Sequence, residues 1–188
     1  MGEITPVGLL GRLNISPQAG TLLSVANNRN PKSREHLTLV ALISMGLAYS
    51  IRYKEPQFKD SQLLSNIAIA GVFHDIGEIY VDPEFFVSKA GISPQQWQSF
   101  SAHPIIGAAL VREVVGLDNV CQAAILQHHE RVDGMGYPLG VSGKAMSPVA
   151  NLLALAEMGA AMRGRGCPLH RIDIALKIVP HEFDPAMV

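Results

Sequence analysis

The chain has 188 residues, 48% of them apolar, and a formal net charge of −1, which suits one compact domain with a sizeable core. The near-balance of charge argues against a nucleic-acid-binding surface, since the one basic cluster, Arg163-Gly164-Arg165, is too short to form a stripe. The two cysteines, Cys121 and Cys167, lack CxxC spacing, and no signal peptide or membrane span is legible; a cytoplasmic protein with reduced thiols and no membrane partner is expected.

In chain order, Ser16-Pro17 sets an N-cap residue before a proline suited to the first helical position. The helix it opens belongs to a short helical lead over 1–31, ahead of the main domain over 32–188. The next helix carries His36, Val40, Ile43 and Leu47 on one stripe. Asp60 caps a segment that closes at Gly77, where Leu64, Ile67, Gly71, His74 and Asp75 form a stripe that is apolar until its last turn. Asp82-Pro83 and Ser93-Pro94 mark two further helix starts. A later helix aligns Cys121, Ile125 and His128, with His129 beside them. A glycine-rich loop over 131–146 follows, and Ser147-Pro148 then opens a helix bearing Leu153, Ala156, Glu157 and Ala160. Strictly alternating β-branched runs are missing, so the expected fold is all-α. Four helices turn a metal-capable group toward a face otherwise built for packing. Buried carboxylates and imidazoles are costly unless paired or ligated, so these groups are expected to meet.

Five of the seven histidines stand in recognisable settings: His36, His74-Asp75-Ile76-Gly77, His103-Pro104 and His128-His129-Glu130-Arg131. Asp133-Gly134-Met135-Gly136-Tyr137-Pro138 follows them, and Phe183-Asp184-Pro185 comes near the end. In this order the motifs resemble the HD-GYP family, a branch of the HD superfamily of metal-dependent phosphohydrolases. The resemblance implies an HD-domain-like helical bundle holding two divalent cations. Iron or manganese come first and zinc or nickel next, because imidazole-rich ligation disfavours magnesium and calcium. Carried over by motif position, His36, His74, Asp75 and Glu157 form one site. Asp75, His103, His128 and His129 form the other, with Asp75 as the catalytic bridge. Two cations about 3.5–4 Å apart can share a hydroxide and neutralise charge on an attacked phosphate. The implied activity is therefore hydrolysis of a cyclic dinucleotide, first of all cyclic di-GMP.

The family's loop also marks contact with GGDEF-domain proteins, which makes Gly136-Tyr137-Pro138 a candidate partner surface. Turn chemistry accounts equally well for every loop residue but Tyr137, with Gly134 and Gly136 supplying unusual backbone angles. Trp97 is read as a packing residue. Because the family joins this domain to sensory modules and Phe183-Asp184-Pro185 opens its last helix, the chain is expected to belong to a longer protein.

The departures from the family bear on activity. Glu78 stands where lysine is usual, Glu157 replaces an aspartate, and Ala160 replaces a second aspartate, so a charge pair has been lost together. Lys32 occupies the position of a further carboxylate, which favours two metals over three. Pro168-Leu169-His170 replaces Pro-Tyr-Arg. The cations left to meet a phosphate are Arg131, Lys144 and Arg163, with Arg165 beside the last. Two alternatives therefore stay open: a weakened member that binds metal and serves as a signalling or interaction module, and a phosphohydrolase acting on another nucleotide.

Overall fold

The computed structural model describes residues 15–30, 33–87, 91–178, 182–185 and 187. Helix α1 spans Pro17–Arg29 and α2 Ser33–Ile51; a 3-10 turn over Pro56–Lys59 leads into α3, Ser61–Phe73. A second 3-10 turn, Ile76–Tyr80, and the single-turn α4, Glu84–Val87, precede α5, Pro94–Ser101. Helix α6, His103–Leu110, runs into a π turn over Val111–Val115, and α7 covers Asn119–Gln127. Helix α8, Pro148–Gly164, and α9, Leu169–Ile178, complete the bundle. No strand occurs among the described residues, and none of their helices is long and apolar enough to cross a membrane.

The caps act as their residue types dictate. The side chains of Ser16 and Ser147 accept from the backbone N–H groups of Ala19 and Ala150, and Asp60 accepts from that of Gln62. Ser93 and Gln96 form a reciprocal capping box. Asp118, which carries no following proline, caps α7 through the Cys121 N–H at 2.7 Å. Asp82 accepts from Glu84 N–H, but α4 lasts only one turn.

Helix α8 is buried on nearly every side from Val149 to Ala156, which makes it the central rod of the core. It packs on α2 and α7, and α2 packs in turn on α3. Near the end of α3 the backbones of α2 and α3 almost touch, because Gly71 lies flat on Ala41. Helix α1 joins the same core through the buried Ala19 and Leu23.

One expected boundary is corrected. Helix α3 ends at Phe73, not at Gly77, with His74 as its C-cap and Asp75 at φ −94°, ψ 10°. The chain there tightens into the 3-10 turn because it must lie flush on α6: a Cβ on Gly77 would collide with the His103 carbonyl oxygen. Tertiary packing thus overrides local helical pattern, and the bend turns Asp75 toward the histidines of the neighbouring helices.

Candidate metal centre

The groups singled out from the sequence come together in one cluster. His36 sits in the first turns of α2, His74 caps α3, His103 opens α6, His128 caps α7, and Glu157 lies midway along α8. Ligand-capable atoms of His36, His74, Asp75 and Glu157 lie within 4.8 Å of one another, and so do those of Asp75, His103, His128 and His129. Asp75 belongs to both sets through different oxygens. Its Oδ2 is 3.0 Å from His74 Nε2 and 3.8 Å from His36 Nε2, while Oδ1 is 3.3 Å from His103 Nε2 and 3.5 Å from His128 Nε2. Glu157 Oε2 closes the first set, 2.7 Å from His36 Nε2 and 3.1 Å from His74 Nε2.

The backbone fixes which imidazole nitrogen faces inward. Nδ1 of His74, His103 and His128 lies 2.8, 2.8 and 2.6 Å from the carbonyl oxygens of Gly71, Phe100 and Ile125, each three residues earlier. Only an N–H can satisfy a carbonyl, so each ring carries its proton on Nδ1 and turns Nε2 into the cavity. His103 Nε2 and His128 Nε2 are 3.2 Å apart, both fully buried. In the neutral rings two lone pairs face each other there, an arrangement that a shared cation relieves. His74 Nε2 and Glu157 Oε2 are likewise buried without a partner in hydrogen-bonding geometry. The donor set of imidazoles and carboxylates suits a divalent transition metal.

Electrostatics split the cluster. Burial pulls the His74 imidazole down, but Asp75 and Glu157 outweigh it and hold the ring well above its ordinary 6.5. Burial pushes both carboxylates up, yet the His74 charge and the His103 and His128 contacts keep Asp75 well below the usual range, as His36 and His74 do for Glu157. His128 and His129 are lowered, by burial first and then by neighbouring histidines. His128 and His129 are therefore held in the neutral form that ligates at neutral pH. Among the described residues Glu78 makes no ion pair with a lysine or arginine. Burial and the charge of Asp75 push its carboxyl up to about 9, and Asn30 Nδ2 donates to its Oε2 at 3.4 Å. Ala160, its expected counterpart in the lost charge pair, is buried in the core.

The 131–146 loop flanks the second set. Glu130, for which the sequence suggested no role, is fully buried, and its carboxylate accepts from the N–H groups of Leu139 (2.6 Å), Gly140 (3.1 Å) and Val141 (3.1 Å). The available signal was an acidic residue directly after two histidines and before a glycine-rich loop. Gly134 adopts a positive φ of 79°, as expected, whereas Gly136 has no positive φ. Gly136 is needed for space instead: a Cβ there would strike the backbone of 129–131. Tyr137 N–H donates to the His129 carbonyl, and the Tyr137 ring stacks on the His129 ring at 4.6 Å between centroids. Trp97 meets the outer part of Tyr137 edge-on at 5.2 Å and stays 46% exposed, so it extends this aromatic wall rather than filling the core.

Of the three candidate substrate cations, Arg131 lines a cleft beside His129. Arg163 is exposed and borders a separate apolar cavity among α2, α8 and α9, none of whose lining residues belongs to the two ligand sets. The Lys144 side chain and Lys32 lie outside the described ones.

An all-helical bundle that gathers five histidines and two carboxylates into two sets sharing one aspartate defines a helical domain with residues that could hold metal ions. The chain belongs to the HD domain family, whose model matches residues 24–178, and the resemblance to its HD-GYP branch holds. It is 26% identical to a probable cyclic di-GMP phosphodiesterase of Vibrio cholerae, over 73% of this chain and 33% of that protein. It is 24% identical to 3′3′-cGAMP-specific phosphodiesterase 1 of the same organism, over 81% of this chain and 34% of that one. The chain thus spans about a third of the length of these relatives. Among solved structures, Bd1817, an HDG"Y"P protein from Bdellovibrio bacteriovorus, shares the fold with a TM-score of 0.60 at 24% identity, covering 81% of this chain and 48% of that one.

Proposed function

We propose that this domain is a metal-dependent phosphodiesterase that hydrolyses a cyclic dinucleotide, with cyclic di-GMP as first candidate. The observation that carries the reading is the pair of inward nitrogens on His103 and His128, 3.2 Å apart with both Nδ1 atoms committed to backbone carbonyls, beside an Asp75 carboxylate that divides its oxygens between two ligand sets. The relatives named as cyclic di-GMP and 3′3′-cGAMP phosphodiesterases support the substrate class.

His36, His74, Asp75 and Glu157 would hold one divalent cation, and Asp75, His103, His128 and His129 the other. Bound there, two such cations supply an activated water at neutral pH and neutralise charge on the phosphate. Asp75 orients both sets at once, because its position on the bend after α3 is fixed by the contact of Gly77 with α6. The Nδ1 hydrogen bonds keep His74, His103 and His128 from rotating, which holds the inward lone pairs in register. Tyr137, stacked on His129, excludes water from one side of the second set.

A second reading has its own observation. Glu78 supplies a neutral acid where a cation would help an attacked phosphate, so a metal-loaded domain that turns over slowly and serves mainly in binding is also consistent with the site. Metal analysis of the protein reconstituted with manganese or ferrous iron, coupled to a cyclic di-GMP hydrolysis assay, tests both. Two equivalents of metal with turnover supports the phosphodiesterase. Two equivalents without turnover supports the binding module, and failure to retain metal overturns both.

A further inference from the structure

Beside His129 opens a cleft of about 240 Å³, lined among others by Arg131, Asp133, Met135, Tyr137 and Glu182. That is far more than the roughly 10–15 Å³ a single water needs, and it leaves space for a planar group of nucleobase size. Two carboxylates, on Asp133 and Glu182, face one guanidinium, on Arg131, so the cleft is formally negative. A phosphate would be repelled there. A neutral, planar group attached to a phosphate held at the ligand sets would not be.

The polar groups of the cleft are held in place. The Glu182 backbone is fixed by its carbonyl, which accepts from Val132 N–H at 3.0 Å. The Glu182 Oε2 stands 3.6 Å from Arg131 Nε. Arg131 is anchored from behind: Nη1 donates to the Glu130 carbonyl at 2.8 Å, and the guanidinium lies over the Phe183 ring at 5.1 Å. An arginine fork and a carboxylate therefore stand side by side. Tyr137 adds an aromatic wall already braced by His129, and Met135, 84% exposed, offers a flexible thioether at the mouth.

We propose that this cleft is a base subsite that selects guanine, with Glu182 and Arg131 reading adjacent positions of its edge; the inference rests on the cyclic dinucleotide reading above. Guanine presents N1–H and the 2-amino group side by side for a carboxylate, next to O6 and N7 for an arginine. Adenine in the same register turns an amino group toward Arg131 and the N1 lone pair toward Glu182. Both contacts then have the wrong sign. Inosine keeps O6, N7 and N1–H but gives up one of the two donors to Glu182.

Calorimetric binding of cyclic di-GMP, cyclic di-IMP and cyclic di-AMP to the manganese-loaded chain tests this where chromatography shows the nucleotide intact, and where it is hydrolysed the ratio of initial-rate kcat/KM values takes the place of affinity. The wild type should bind cyclic di-GMP at least about tenfold more tightly than cyclic di-AMP, with cyclic di-IMP between them. Glu182→Gln should bring cyclic di-GMP and cyclic di-IMP to near parity while metal content is unchanged. The inosine comparison needs no variant, so a misfolded Glu182→Gln leaves the proposal testable. Equal affinity of the wild type for all three nucleotides overturns the guanine subsite and leaves the cyclic dinucleotide reading standing. Binding of none of them removes both.

Discussion

Replacing Glu130 with glutamine should destabilise the site-flanking loop far more than an isosteric change on a surface would. The Glu130 carboxylate accepts three backbone N–H groups, two on Oε1 and one on Oε2. Glutamine has a single carbonyl oxygen, which can keep the Leu139 and Gly140 bonds, and its amide then meets the Val141 N–H donor to donor. The two retained bonds fall from charge-assisted to neutral strength, a loss of about 1 kcal/mol each, and the third leaves a donor unsatisfied at about 1–3 kcal/mol. Val141 is half-buried, so water recovers part of this, and a net loss of about 2–4 kcal/mol is expected. For a domain of this size that lowers Tm by about 6–12 °C. Urea unfolding and thermal melts measure any global loss. Amide exchange at residues 139–141 detects the loss if the loop opens by itself. Unchanged stability together with unchanged exchange at these three amides would refute the role assigned to Glu130.

The shared aspartate gives an asymmetric expectation: Asp75→Ala should lose metal from both sets, whereas His103→Ala should lose it mainly from one. Metal analysis showing equal losses would contradict the split of the Asp75 oxygens. His74 is held protonated well above 6.5 in the metal-free protein, and a protonated imidazole cannot ligate, so loading at neutral pH should release a proton and tighten as pH rises. Calorimetry in buffers of different ionisation enthalpy reads this directly, and proton-neutral binding would rule it out. Glu78 is an acid whose pKa rises on folding from 4.5 to about 9. The folded state binds the extra proton between those values, so its stability falls as pH rises through that window. Glu78→Gln should therefore stabilise the metal-free protein little at the lower end and most at the upper end, and a gain independent of pH would refute this. Finally, a lost stabilising cation commonly costs about 10²–10³ in rate. Restoring the charge pair with Glu78→Lys and Ala160→Asp together should raise turnover more than the separate effects combined; strictly additive effects would show that the two positions are independent.

The sequence by itself determined the all-helical class and most helix starts, because each rests on local chemistry, and its motif order carried the resemblance that named the converging groups. A serine or aspartate cap needs only the N–H groups two or three residues on, and an inward histidine shows itself by interrupting an apolar stripe. With the resemblance to HD-GYP domains added, five histidines and two carboxylates could be named before any distance was known. Tertiary structure alone decided how they meet. The end of α3 at Phe73 depends on α6 pressing against Gly77, a contact between residues far apart in the chain. Likewise, the division of Asp75 between two sets depends on where α6 begins and α7 ends, and the burial of Glu78 beside Asp75 depends on which side of the bend it leaves. Glu130 was hidden for the same reason. Its partners are three loop amides nine to eleven residues on, and backbone N–H groups are the same in every sequence, so only the folded path of the loop shows which carboxylate they find.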